Sequence, residues 1–77
     1  MLTLQETNHL IELGFRGSLN IGKLFIKKNT FIYDYPDFIG VSLIDRITGE
    51  RIAANDFNSL IGALNWIEEF EHLNSIT

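Results

Sequence analysis

A chain of 77 residues, 45% of them hydrophobic, has the length of one domain and too much apolar material for general disorder. Ten acidic against six basic residues give a net charge of −4, which disfavours non-specific nucleic-acid binding because phosphates repel such a surface. Cysteine is absent and no apolar run approaches the ~20 residues that span a bilayer, so disulfides, thiolate–zinc sites and a membrane helix are excluded.

The opening residues, MLTLQETNHL, lack the basic region and long apolar run of a signal peptide, and a cytoplasmic location is the default expectation. Thr3 and Glu6 have the spacing of a capping box, T-x-x-E. A short helix follows, with Leu10 and Leu13 on its buried side and Leu2 below them, and Gly14 is suited to end it. From Gly17 to Asn29 the apolar phase shifts at Gly22, which predicts one strand with a bulge or bend there. Lys28-Asn29 reads as a turn into a strand over Thr30–Tyr35, with Phe31, Tyr33 and Tyr35 on one face and Ile32 and Asp34 on the other. Pro36 breaks that strand, because proline cannot donate to a ladder.

The stretch from Phe38 to Asp45 is apolar on both faces and is placed centrally in the sheet. Arg46 to Glu50 suits a type I turn with Gly49 in the left-handed region, forming a G1-bulge hairpin, and Arg51–Ala54 is the returning strand. Asp56, Asn58 and Ser59 are competent N-caps, and Phe57 can act as a hydrophobic staple. A helix then runs from about Ser59 to Leu73, with Leu60, Ala63, Leu64, Ile67 and Phe70 in one stripe and Trp66 on its flank. The fold class is α+β: a single domain over residues 1–77, with an antiparallel meander of three or four strands and an N-terminal and a C-terminal helix. The second helix packs across one face of the sheet. The first shares that face or covers an edge.

Catalytic chemistry finds little support. His9 and His72 sit near opposite ends of the chain, and no carboxylate pair has acid/base spacing, so no enzyme and no cofactor is expected. Glu6 with His9, and Glu68 or Glu69 with His72, have helical spacing for metal ligation, but solvated polar residues are the simpler reading and no metal is expected. Gly14 and Gly17 form G-x-x-G, which reads as a helix-to-strand connection, since an RNA-binding loop of that pattern joins two helices. The row Phe31, Tyr33, Tyr35 is either a core face or a stacking platform, with Lys23, Lys27 and Lys28 nearby to supply charge. The α-β-β-β-α order also matches double-stranded-RNA-binding domains, but the stretch FNSLIGA has none of their basic residues. Glu68, Glu69 and Glu71 crowd the end of the second helix, where negative charge is unfavourable by about 0.3–1 kcal/mol per exposed group. They are either a solvated face or an acidic patch that docks on a basic protein surface.

The residues from Gly49 to Trp66, GERIAANDFNSLIGALNW, resemble a segment of the phage-encoded anti-CRISPR inhibitors of type I-F systems. Gly49, Ala54, Asp56, Phe57, Ser59 and Trp66 fall in step with that family's hairpin glycine, short strand, D-F-[DN]-S cap and Trp-bearing helix. The resemblance covers about a quarter of the chain. It departs from the family at the N-terminus, where those chains open with a strand, and Tyr33 and Tyr35 match the family's Tyr-bearing face only loosely. It implies a small non-catalytic phage or mobile-element protein that binds and modulates a host protein in the host cytoplasm, such as a CRISPR effector complex. Tyr35-Pro36-Asp37-Phe38-Ile39-Gly40 also resembles an antitoxin motif, and the alternative readings are an antitoxin-like or transcription-associated module and a self-associating structural domain. The partner-binding candidates are Tyr33, Tyr35, Trp66, Glu68, Glu69 and Glu71, and the surplus of aromatics predicts a homodimer or a monomer that offers this patch to its partner.

Overall fold

The computed structural model describes residues 2–17 and 23–76. The elements are α1 (Leu4–Glu12), β1 (Arg16–Gly17), β2 (Leu24–Lys27), β3 (Thr30–Asp34), β4 (Ile39–Ile44), β5 (Arg51–Phe57) and α2 (Leu60–Ile76). The strands form one antiparallel meander in the order β1-β2-β3-β4-β5. Each strand therefore pairs with its neighbour in sequence.

Local signals account for both ends of α1. The Thr3 side chain accepts from the Glu6 N–H at 3.1 Å and the Glu6 carboxylate accepts from the Thr3 N–H at 3.0 Å, the reciprocal bonds of a capping box. At the other end Gly14 has a φ of +102°, and the Gly14 and Phe15 N–H groups donate back to the Ile11 and Leu10 carbonyls. That is a Schellman closure, and its accompanying apolar contact places Phe15 and Leu10 together in the core. Leu13 does not share that side: it caps the helix and remains exposed, so Phe15 takes the place expected of it.

The sheet has five strands where three or four were expected, because Gly17–Asn29 is not one bent strand. Gly17 pairs with Phe25 and Arg16 with Ile26, so β1 and β2 run antiparallel. The bend expected at Gly22 lies outside the described residues. Two residues are too few to show a period, which is why β1 has no signature in the sequence. β4 is flanked on both sides, as its apolar faces require, and is buried over all but its last residue.

The β4–β5 hairpin follows the reading at its turn, but β5 runs on to Phe57, past the expected end at Ala54, and takes in Asp56, one of the expected N-caps. Asp45 opposes both Gly49 and Glu50: it accepts from the Gly49 N–H at 2.8 Å and donates to the Glu50 carbonyl at 2.7 Å. This is the G1-bulge pattern, with Gly49 at a φ of +77°. The Asp45 carboxylate also accepts from Ile47 and Thr48 at 2.8 and 3.2 Å, which holds the turn. A second irregularity follows, where Leu43 pairs with Ala53 but Ile44 with Arg51, leaving Ile52 as an extra residue in β5. A Cβ on Gly49 would meet nothing within 4 Å, so the cost of a side chain there is backbone strain alone. Gly49→Val should therefore destabilise by more than about 1 kcal/mol. Gly49→Asn should cost less, since Asn tolerates this region. Equal melting temperatures for the two variants and the parent would contradict the turn geometry.

Ser59 is the residue that caps α2. Its hydroxyl accepts from the Gly62 N–H at 3.2 Å and its carbonyl from the Ala63 N–H. Leu60, Ala63 and Ile67 are buried, and Leu64, Trp66 and Phe70 are half-buried. They meet Phe25, Ile32, Ile39 and Val41 from one face of the sheet and Leu10 and Phe15 from the N-terminal end, giving one core. Both helices thus cover the same face. α2 continues to Ile76, past the expected end at Leu73, because nothing in Asn74-Ser75-Ile76 breaks a helix.

Asp34 ties α1 to this layer. Its carboxylate accepts the Leu2 N–H at 3.0 Å, across 32 residues of sequence. Burial pushes the Asp34 carboxyl up, but hydrogen bonds from the start of the chain and the positive charge there and on Lys23 outweigh burial and hold it below its ordinary value. A depressed folded pKa contributes stability that is fully present above the unfolded value near ~3.9 and is lost as pH falls through the folded value. Asp34→Asn should be less stable than the parent at neutral pH, and the gap should close below that window. A gap that persists to the acid limit would show that the charge is not its source.

Candidate functional site on the open sheet face

The face of the sheet opposite the helices carries alternate residues of each strand. Tyr33 lies between Leu24 and Gly40 in the cross-strand row, and Phe31 between Ile26 and Ser42. β3 ends at Asp34, and the chain turns through Pro36 with the Tyr35 N–H donating to the Phe38 carbonyl at 3.1 Å. That tight turn folds the aromatic rings together. Tyr33 and Tyr35 stack with centroids 6.0 Å apart, and Tyr35 and Phe38 stack at 4.7 Å.

These three rings form one wall of an open groove of about 330 Å³. Its floor is β4, where Gly40 and Ser42 leave room that larger side chains would fill. Its far side is β5, with Arg51, Ala54 and Asp56. Gly40 is the key to the shape. A Cβ there would come within 3.2 Å of the Tyr35 ring, 3.6 Å of the Asp56 carboxylate and 3.7 Å of the Tyr33 Cβ. The missing side chain lets Tyr35 lie close across the strand, where a Cβ would press its ring outward. The groove thus sets aromatic surface beside one cation and one anion. Tyr35 is 42% exposed while Tyr33 and Phe38 are half-buried, so the rings are supported yet reachable.

The other candidate residues lie elsewhere. Trp66 is on the helix-covered side, packed against the core, with Phe57 at 5.7 Å and Phe70 at 5.9 Å. Glu68, Glu69 and Glu71 are exposed on α2. Because α2 runs to Ile76, none of the three stands in its last turn, and the expected conflict with the helix dipole is correspondingly weak. The lysines expected to accompany the aromatic row are also dispersed. The Lys27 ammonium lies 5.7 Å from the centre of the Phe15 ring, Lys28 occupies the β2–β3 turn at a φ of +54°, and Lys23 acts on Asp34. Arg51 and Asp56, not lysines, supply the charge at the groove. The sequence reading gave Asp56 only a capping role and Arg51 only a place in a strand, since neither is near the aromatics in the chain and only the pairing of β3, β4 and β5 brings them across.

Glu6 is engaged in the capping box, and His9 lies 3.9 Å from Glu12 instead. Among the described residues there is no group of three or more His, Cys, Asp or Glu that could hold a metal ion. No helix among them is long and apolar enough to cross a membrane. Comparison of the chain with protein-family models, curated proteins and solved structures gives no match.

Proposed function

We propose that this chain is a small non-catalytic phage or mobile-element protein that binds and modulates a host protein through the open face of its sheet. The observation that carries this reading is the stacked Tyr33–Tyr35–Phe38 wall, seated over Gly40 and facing Arg51 and Asp56. Rigid aromatics beside an arginine are the composition of binding hot spots, and the rings are held in place before any partner arrives. A protein fits this surface better than a nucleic acid, because Asp56 offsets Arg51 in the groove and the chain is acidic overall.

The exposed Glu68, Glu69 and Glu71 provide a second, separate surface that a basic partner would steer by. The resemblance of Gly49–Trp66 makes a type I-F CRISPR effector complex the first partner to test. The assay is binding of the chain to that purified complex by surface plasmon resonance. Tyr35→Ala should weaken binding by about tenfold or more, the effect of losing a hot-spot aromatic. The triple change of Glu68, Glu69 and Glu71 to Gln should slow association and leave thermal stability nearly unchanged. If the parent does not bind, this target is wrong. If it binds and Tyr33→Ala and Tyr35→Ala bind equally well, the open face is not the binding surface.

A further inference from the structure

We propose that two copies of this chain join through the outer edges of β5, antiparallel about a two-fold axis at Ala54, so that the two five-stranded sheets become one. β5 is the last strand of the sheet and, among the described residues, pairs only with β4. Every one of its residues is exposed or half-buried. The N–H of Asp56 is held at 2.9 Å by the side-chain carbonyl of its own neighbour, Asn55, and not by β4. That N–H therefore faces outward, and the alternation of an antiparallel ladder turns the N–H and C=O of Ala54 outward as well. Arg51–Phe57 contains no proline or lysine, residues that ordinarily blunt an edge, and its irregularity at Ile52 lies toward one end of the strand, away from Ala54–Phe57.

The side chains around this edge suit a copy of the same chain. Arg51, Ala54 and Asp56 line the same groove on the open face. With the axis at Ala54, and with Ile52 the extra residue of β5, Asp56 of one copy comes opposite Arg51 of the other on the open face. Symmetry makes that opposite-charge contact twice. An axis at Asp56 would set two carboxylates face to face, and a parallel pairing would stack Arg51 on Arg51. On the other face, Ile52 is 53% exposed and shares a groove with Phe70, which continues through Trp66 to Phe57. Ile52 is exposed and Phe57, Trp66 and Phe70 are only partly buried, and a second copy at the edge would lie alongside them. Directly paired residues of an antiparallel ladder project to the same side, so the two aromatic grooves would face one way and present a bivalent surface.

Sedimentation equilibrium of the full chain, from micromolar to millimolar concentration, tests the inference. The parent should show a monomer–dimer equilibrium. Ala54→Pro removes an outward N–H and no bond to β4, and it should weaken the dimer by about tenfold or more. Arg51→Glu and Asp56→Arg should each weaken it, and the two changes together should restore it. The charge exchange decides the matter even if Ala54→Pro proves unfolded by circular dichroism. A parent that stays monomeric throughout, a dimer indifferent to a folded Ala54→Pro, or a double exchange that fails to restore the dimer would each overturn the proposal.

Discussion

Ile32→Ala is expected to destabilise the protein by about 2–5 kcal/mol, the cost of removing buried methylenes together with the cavity they leave. Ile32 is fully buried in the middle of β3, between Phe25 of β2 and Val41 of β4 in the cross-strand row and beneath the helices. Neighbours on every side are held by strand pairing, so the site has little scope to collapse. A domain of this length has a total stability of roughly 4–12 kcal/mol, so the change should remove a large part of it. Urea unfolding followed by circular dichroism would show the midpoint falling with the slope unchanged. Ile32→Val should cost only about 0.5–1.5 kcal/mol. If the two variants lose the same amount, Ile32 is not at the centre of the packing.

Gly40→Val is expected to act on stability and on the groove together. The new side chain must displace the Tyr35 ring, 3.2 Å from the position of its Cβ, and crowd the Tyr33 Cβ at 3.7 Å, which is fixed to β3. Overpacking of this kind costs about 1–3 kcal/mol. The stack of Tyr33, Tyr35 and Phe38 should come apart, and near-ultraviolet circular dichroism of the tyrosines would record it. Gly40→Ala presses mainly on the Tyr35 ring, which can swing away toward solvent. It should cost less stability yet still disturb the partner surface. A Gly40→Val variant with the parent's melting temperature and tyrosine signal would show that the ring does not depend on the glycine.

Features set by a few neighbouring residues were legible in the sequence. Thr3 and Glu6 cap α1, Gly14 closes it, Gly49 bends the hairpin, and the stripe of Leu60, Ala63 and Ile67 faces the core. Each follows from backbone geometry or helical period acting over a turn or two, so a single stretch of chain contains the whole cause. The meander order was legible too, but the first pairing of the sheet and the contacts that register makes across it were not. β1 is too short to carry a period, and Leu13 and Phe15 exchange roles because the Schellman turn decides which of them reaches Leu10. The link from Asp34 to Leu2 joins residues that are neighbours only after folding. The groove is of the same kind. Tyr35, Gly40, Arg51 and Asp56 come from separate strands and turns, and register alone brings them together. Local sequence determined the caps, the hairpin turn and most of the elements, because capping, turn and helix energies depend on near neighbours. The tertiary structure decided which aromatic residues stay accessible and which charges stand beside them, because burial and strand register depend on the whole chain.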